Sequence, residues 1–135
     1  MYKNILVPIA FDSEAKAKAA MEVARQLADQ EAKITLLHVM EHIPGYAVSY
    51  VPPDYLAQSR ATVQGQLDTL AAELGHATGV LVEGHSGRTI LDYAEDHKVD
   101  CIVIASHRPG MQDLLLGSTA AKVVRHAQCA VHVLR

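Results

Sequence analysis

The chain has no surplus of positive charge. Lys and Arg number 12 against 15 for Asp and Glu, giving a formal charge of -3 and a pI of about 6.2, so the basic footprint that nucleic-acid binding requires is missing. No apolar run approaches a membrane span. The amino-terminal stretch MYKNILVPIAF carries one Lys and a short apolar run that Pro8 interrupts, too brief for a secretory h-region. A cytoplasmic protein without a membrane partner is the expectation. Cysteine is scarce as well: Cys101 and Cys129 sit inside apolar runs with no CxxC spacing, which predicts buried free thiols rather than a disulfide, redox or metal role. The eight His residues are scattered, and His38 and His42, the one pair at i, i+4, straddle a strand end, so no metal site is expected. GxSxG, an acid pair and an informative Cys/His spacing are all lacking, which removes the usual hydrolytic machinery.

What is present is an ordinary globular composition. Half of the 135 residues are hydrophobic and a fifth are charged. A chain of this size buries roughly two thirds of its unfolded surface, enough for one self-sufficient domain over residues 1–135. Five short runs rich in Val, Ile and Leu stand at 4–10, 33–40, 79–84, 100–106 and 129–135. Three are nearly continuously apolar, as strands covered by helices on both faces are. Between them the period becomes helical: Ala17, Ala20, Met21, Ala24, Leu27 and Ala28 share a face in 13–29, and Leu56, Val63, Leu67, Leu70 and Leu74 do so in 55–74. Shorter stripes occur at Ile90, Leu91 and Ala94 and at Ala120, Val123, Val124 and Ala127. The order βαβαβαβαβ predicts a single-domain, doubly wound α/β fold of Rossmann-like type, with a mostly parallel five-stranded sheet and right-handed crossovers.

One connection stands apart. Residues 41–55, EHIPGYAVSYVPPDY, hold three of the five Tyr and three of the five Pro. Pro44, Pro52 and Pro53 are expected to keep it out of regular helix, with Asp54 as the N-cap of the next helix. Its tyrosines either pack on the sheet edge or form a surface that contacts a partner.

In an open α/β sheet, ligands bind beyond the carboxyl ends of the strands where strand order reverses. The candidates are the residues just after the strands: 10–12, 39–42, 84–88 and 106–110. Gly117, Ser118 and Thr119 open the last helix, with Ser118 as the expected N-cap. Their amides and hydroxyls suit an anion, although Gly-Ser before a helix is also plain capping. His107 and Arg108 emerge on the same side, and a guanidinium fork suits phosphate oxygens. The sequence GHSGRT at 84–89 lacks the Lys-Ser/Thr of a P-loop and is read as a strand-to-helix turn.

The segments NILVPI, LLHV, GRTILDYAEDHKVDCIVIASHR and LLLGSTAAKVVRHAQCAVHVLR together resemble the universal stress proteins of the UspA superfamily. The IASHRP, LLGS and VVRHA ending is most similar to the F-type bacterial subgroup. The resemblance implies a sheet of order 3-2-1-4-5, a homodimer through the carboxyl-terminal strand, and in many members an adenine nucleotide at the switch point. The family motif G-x2-G-x9-G-[ST] falls here on Ala105, Arg108, Gly117 and Ser118. Eight residues, Pro109 to Leu116, separate Arg108 from Gly117, one fewer than in the motif, and Gly110 lies within them. The Asp that ATP-binding members place after ILVPI is Ala10 here, with Asp12 two residues on. Val39 stands where family members read the adenine edge through the backbone.

The resemblance therefore implies a small stress-response regulator that binds ATP or AMP, with or without Mg. The expected contacts are Pro8, Ile9 and Val39 for the base, Ala10 on the ribose side, and Ser106, His107, Arg108, Gly117, Ser118 and Thr119 for the phosphates, with Ala105 at the motif's first glycine position and Gly110 as a turn completing the nucleotide-binding set. The alternative is a nucleotide-independent dimeric module that meets a client protein through 43–55. An ATP-hydrolysing enzyme comes third, because phosphoryl transfer needs metal-holding carboxylates and Ala10 supplies none. No enzyme is expected beyond a slow hydrolysis.

Overall fold

The computed structural model describes residues 1–106 and 116–135. The chain runs β1 (Tyr2–Pro8), α1 (Glu14–Leu27), β2 (Ala28–Met40), α2 (Gly45–Val48), α3 (Pro53–Leu74), β3 (Ala77–Glu83), α4 (Ser86–Asp96), β4 (Cys101–Ala105), α5 (Ser118–His126) and β5 (Ala130–Leu134). The five strands form one sheet of order β3-β2-β1-β4-β5. Every pairing is parallel.

Strand alternation divides the core into two layers. Ile5, Val7, Ile34, Leu36, Cys101 and Val103 face α1 and α3, joining Ala20, Met21, Ala24 and Leu67. Their neighbours Leu6, Leu37, Ile102 and Ile104 face α4 and α5, joining Ile90, Ala94, Ala120 and Val123. A strand whose successive residues feed opposite layers must be apolar throughout, which is why the central runs show no polar alternation.

Several boundaries differ from the sequence expectation, each for a local reason. Helix α1 stops at Leu27, and Ala28, placed in the helix by periodicity, opens β2 in extended geometry. At the other end Ser13 caps it, its hydroxyl accepting from the Lys16 amide at 3.2 Å. Asp54 is not the N-cap of α3. Pro52 takes that position and Pro53 is the first helical residue, because a proline's fixed φ suits the first turn and its missing N–H costs nothing there. Asp54 then complements the helix dipole from the first turn. Ser118 likewise yields its expected cap role to Gly117, whose carbonyl accepts from Ala121 N at 2.9 Å. Contrary to the sequence expectation, the three prolines do not keep 41–55 out of helix: the single turn α2 follows Pro44 directly, and Pro53 opens α3, since proline is accommodated at a helix start. The tyrosines of this connection do not pack on the sheet edge: Tyr46 and Tyr50 are each 84% exposed and Tyr55 61%.

The seam between β1 and β4 positions the site. These strands pair only through Ile5↔Cys101 and Leu6↔Ile102. At their amino ends the Asp100 carboxylate accepts from the Lys3 and Asn4 amides at 2.9 and 3.0 Å, and Asn4 Nδ2 donates to the His97 carbonyl at 2.7 Å. At the carboxyl ends the ladder stops and a cleft opens.

Candidate functional site

The chain leaves β1 toward β2 on one side and β4 toward β5 on the other, so the connections after β1 and β4 diverge. The cleft between them measures about 220 Å³. One wall is the end of β1, Pro8, Ile9 and Ala10, with Leu37, His38 and Val39 from β2 beside it. The opposite wall is Ile104 and Ala105 with Gly117, Ser118 and Thr119 at the start of α5. Asp12, from the turn before α1, and Lys16, Ala17 and Ala20 from α1 close it, with Ser86 and Ile90 from α4.

The first wall is held rigidly. The Ile9 amide donates to the Leu37 carbonyl at 2.8 Å, and the Ile9 carbonyl lies 2.6 Å from His38 Nδ1, which donates in the tautomer that carries its proton there. Phe11 lies against the His38 ring with centroids 4.9 Å apart. His38 is thereby a brace for the β1 end rather than a metal ligand paired with His42. His42 instead approaches Glu83, at 3.8 Å.

Ser106 anchors the second wall. It is buried, its amide donates to the Leu134 carbonyl at 2.8 Å, and its Oγ accepts from the Gly117 amide at 2.8 Å. Its carbonyl accepts from Lys16 Nζ, also at 2.8 Å. With three bonds to three separate elements, Ser106 ties the end of β4 to β5, to the start of α5 and to α1 behind the cleft surface. The Gly117 amide, expected from sequence to face an anion, is spent on that hydroxyl. Ser118 and Thr119 remain at the cleft, in a first helical turn with no side-chain cap among the described residues, where the helix dipole favours negative charge.

Of the residues singled out from sequence, Pro8, Ile9, Ala10, Val39, Ala105, Gly117, Ser118 and Thr119 all line this one cleft. Ser106 stands behind it, and His107, Arg108 and Gly110 lie outside the described residues. Lys16 was missed. Lys16, Ala20 and Ala24 stand at i, i+4, i+8, but only the burial of Ala20 and Ala24 in the structure shows that the lysine stands at the cleft end of the buried stripe.

The GHSG segment after β3 is a strand-to-helix turn, as expected. Gly84 has φ +147°, and a Cβ there would stand 2.4 Å from Thr89 Oγ1, so glycine is required for the turn itself. Ser86 reaches the cleft edge, its Oγ 3.5 Å from the Glu41 carboxylate.

Among the described residues no group of three or more His, Cys, Asp or Glu side chains is placed to hold a metal ion. Both thiols are free; Cys101 is buried and Cys129, against expectation, only half-buried. Burial pushes the Cys101 thiol up to about 11, with the neighbouring Cys129 and Asp100 adding to it. Burial and Asp100 raise Cys129 as well. Thiols held protonated in this way are poor nucleophiles. Among the described residues no helix is long and apolar enough to cross a membrane.

A sequence profile described as "Universal stress protein family" matches residues 1–135. Universal stress protein A homolog 2 of Coxiella burnetii is 31% identical over 99% of this chain and 95% of its own length. Universal stress protein G of Salmonella typhimurium is 32% identical, with both chains covered in full. Among solved structures, hypothetical protein MJ0577 superposes with a TM-score of 0.82 at 26% identity, over 99% of this chain and 96% of that one. Two more distant structures share the fold and are described with a ligand. One is a universal stress protein in complex with cAMP, with TM-score 0.71 and 19% identity over 99% of this chain and 97% of that one. The other is an Arabidopsis thaliana family protein with AMP bound, with TM-score 0.64 and 18% identity over 98% of this chain and 90% of that one.

Proposed function

The chain belongs to the universal stress protein family, and from that premise we propose that it is a stress-response regulatory protein whose cleft binds an adenine nucleotide, ATP or AMP. The observation that carries this is the convergence on one cleft of an apolar wall fixed by backbone bonds and a helix start rich in hydroxyls. The wall is Pro8, Ile9 and Val39; the helix start is Ser118 and Thr119. A purine and ribose suit the first, and a phosphate the second. The AMP and cAMP held by two proteins of the same fold support the ligand class.

Any Mg would be shared between the protein and the ligand's phosphates. The described residues of the cleft include one carboxylate, Asp12, and octahedral Mg usually takes one or two carboxylates together with substrate phosphates. The same shortage argues for a binding protein over an enzyme, with any hydrolysis slow.

Residues 1–135 act as one cytoplasmic domain, and two copies pair through β5. This strand closes one edge of the sheet, and pairing with its own copy satisfies its outward backbone groups. Removing residues 130–135 then gives a monomer or insoluble protein by light scattering; a soluble dimer that survives overturns the assignment.

Calorimetric titration with AMP, ADP and ATP tests the main proposal. Saturable binding together with a thermal upshift at millimolar nucleotide is expected, and Ser118→Ala should weaken the phosphorylated ligands. The absence of both heat and thermal shift overturns it. The exposure of Tyr46, Tyr50 and Tyr55 favours a second reading, in which the 43–55 surface engages a client protein without nucleotide.

A further inference from the structure

We infer that Lys16 is a specificity-determining residue of the cleft, its ammonium acting as the direct counter-ion of the ligand's phosphate so that a nucleoside monophosphate binds without a divalent cation. This deepens the nucleotide reading above and rests on it.

Three observations support it. Lys16 lines the cleft, and among its described lining residues it is the one lysine or arginine. It is the third residue of α1, whose first turn is fixed by the Ser13 cap on its own amide. Nζ is held 2.8 Å from the Ser106 carbonyl, and the same Ser106 fixes the Gly117 amide with its hydroxyl. The ammonium is thus tethered to the residue that sets where α5 begins. The start of α5, with no side-chain cap among the described residues, and the Lys16 charge converge on the wall assigned to phosphate.

A lysine ammonium carries three donors, and the Ser106 carbonyl takes one. The tether is to a neutral carbonyl rather than a carboxylate, so the positive charge is not cancelled by this bond. A phosphate monoester arriving beside it gains a charge-assisted bond at a half-buried position, where such bonds are strong. The donor set points the same way. One carboxylate and no metal-holding cluster among the described residues leave the anion's charge to be met by the protein's own cation.

The test compares adenosine with AMP, each titrated into wild type, Lys16→Met, Lys16→Gln and Lys16→Arg, in EDTA and in millimolar MgCl2. Wild type is expected to bind AMP within about twofold in either buffer. Both neutral variants should lose about tenfold or more in AMP affinity while binding adenosine as wild type does, and Arg should retain most of the AMP affinity. Equal weakening of AMP and adenosine would make Lys16 a structural tether only and overturn the inference. An AMP affinity that Met and Gln leave unchanged, or that disappears in EDTA, overturns it as well. If wild type binds neither ligand, the nucleotide reading itself falls. Thermal melts of each variant separate lost folding from lost binding.

Discussion

The two ends of the β1–β4 seam are built to opposite purposes. At the amino end, Asp100 and Asn4 close the seam by stitching β1 to the turn before β4 with bonds of 2.7 to 3.0 Å. At the carboxyl end the ladder stops after Leu6↔Ile102, and the gap is spanned indirectly by Lys16, Ser106 and Gly117. Backbone groups at the closed end are satisfied by the protein. Those at the open end, in the first turn of α5, have no side-chain cap among the described residues. Stability should therefore reside at one end and ligand response at the other.

The largest expected effect lies at the closed end. Asp100→Ala removes the charged acceptor of two backbone amides and should cost about 3 kcal/mol in urea unfolding, with AMP affinity unchanged. A matching loss of AMP affinity would erase the distinction between the two ends. Ser106→Ala should cost less, about 2 kcal/mol, by leaving the Gly117 amide without its hydroxyl partner. Unlike the Asp100 change, it should also weaken nucleotide binding, because it frees the start of α5. A stability loss with AMP affinity intact would mean that the cleft does not depend on this brace.

A graded effect comes from Cys101, which lies on the seam. Its folded pKa is raised from 9.0 to about 11, so the native state keeps a proton that the unfolded chain releases. Stability should be insensitive to this group below pH 9, fall between about 9 and 11, and level off above. Thermal melts across that range should show a shallower fall for Cys101→Ala. An identical slope would remove Cys101 as the cause. The smallest effect is expected for Ser86→Ala, within about 0.5 kcal/mol, because its 3.5 Å contact with Glu41 lies at the surface. A larger change would show that the β3–α4 turn shares the bracing role of Ser106.

Strand and helix identity was legible because the core has two layers: Ile5, Leu6 and Val7 feed alternate faces, leaving a continuous apolar signature. Helix starts were read less well. Asp54 and Ser118 are good capping residues, yet Pro52 and Gly117 hold the cap positions, through the fixed φ of Pro53 at the first helical residue in one case and a tertiary hydroxyl in the other. Most of the cleft was legible too, because the residues just after parallel strands must gather at one end of the sheet. Lys16 was not, since a lysine one turn into an amphipathic helix reads as a solvated flank until the Ser106 carbonyl is found beside it.

The sequence by itself determined the α/β class, the end of the sheet where the cleft opens, and the family likeness, since apolar periodicity and chain order are local properties. Tertiary structure alone decided which polar groups are available at that end. The Gly117 amide is consumed by Ser106 and Lys16 is drawn in from α1, because a hydrogen bond between residues 11 or 90 positions apart leaves no periodic trace in the chain.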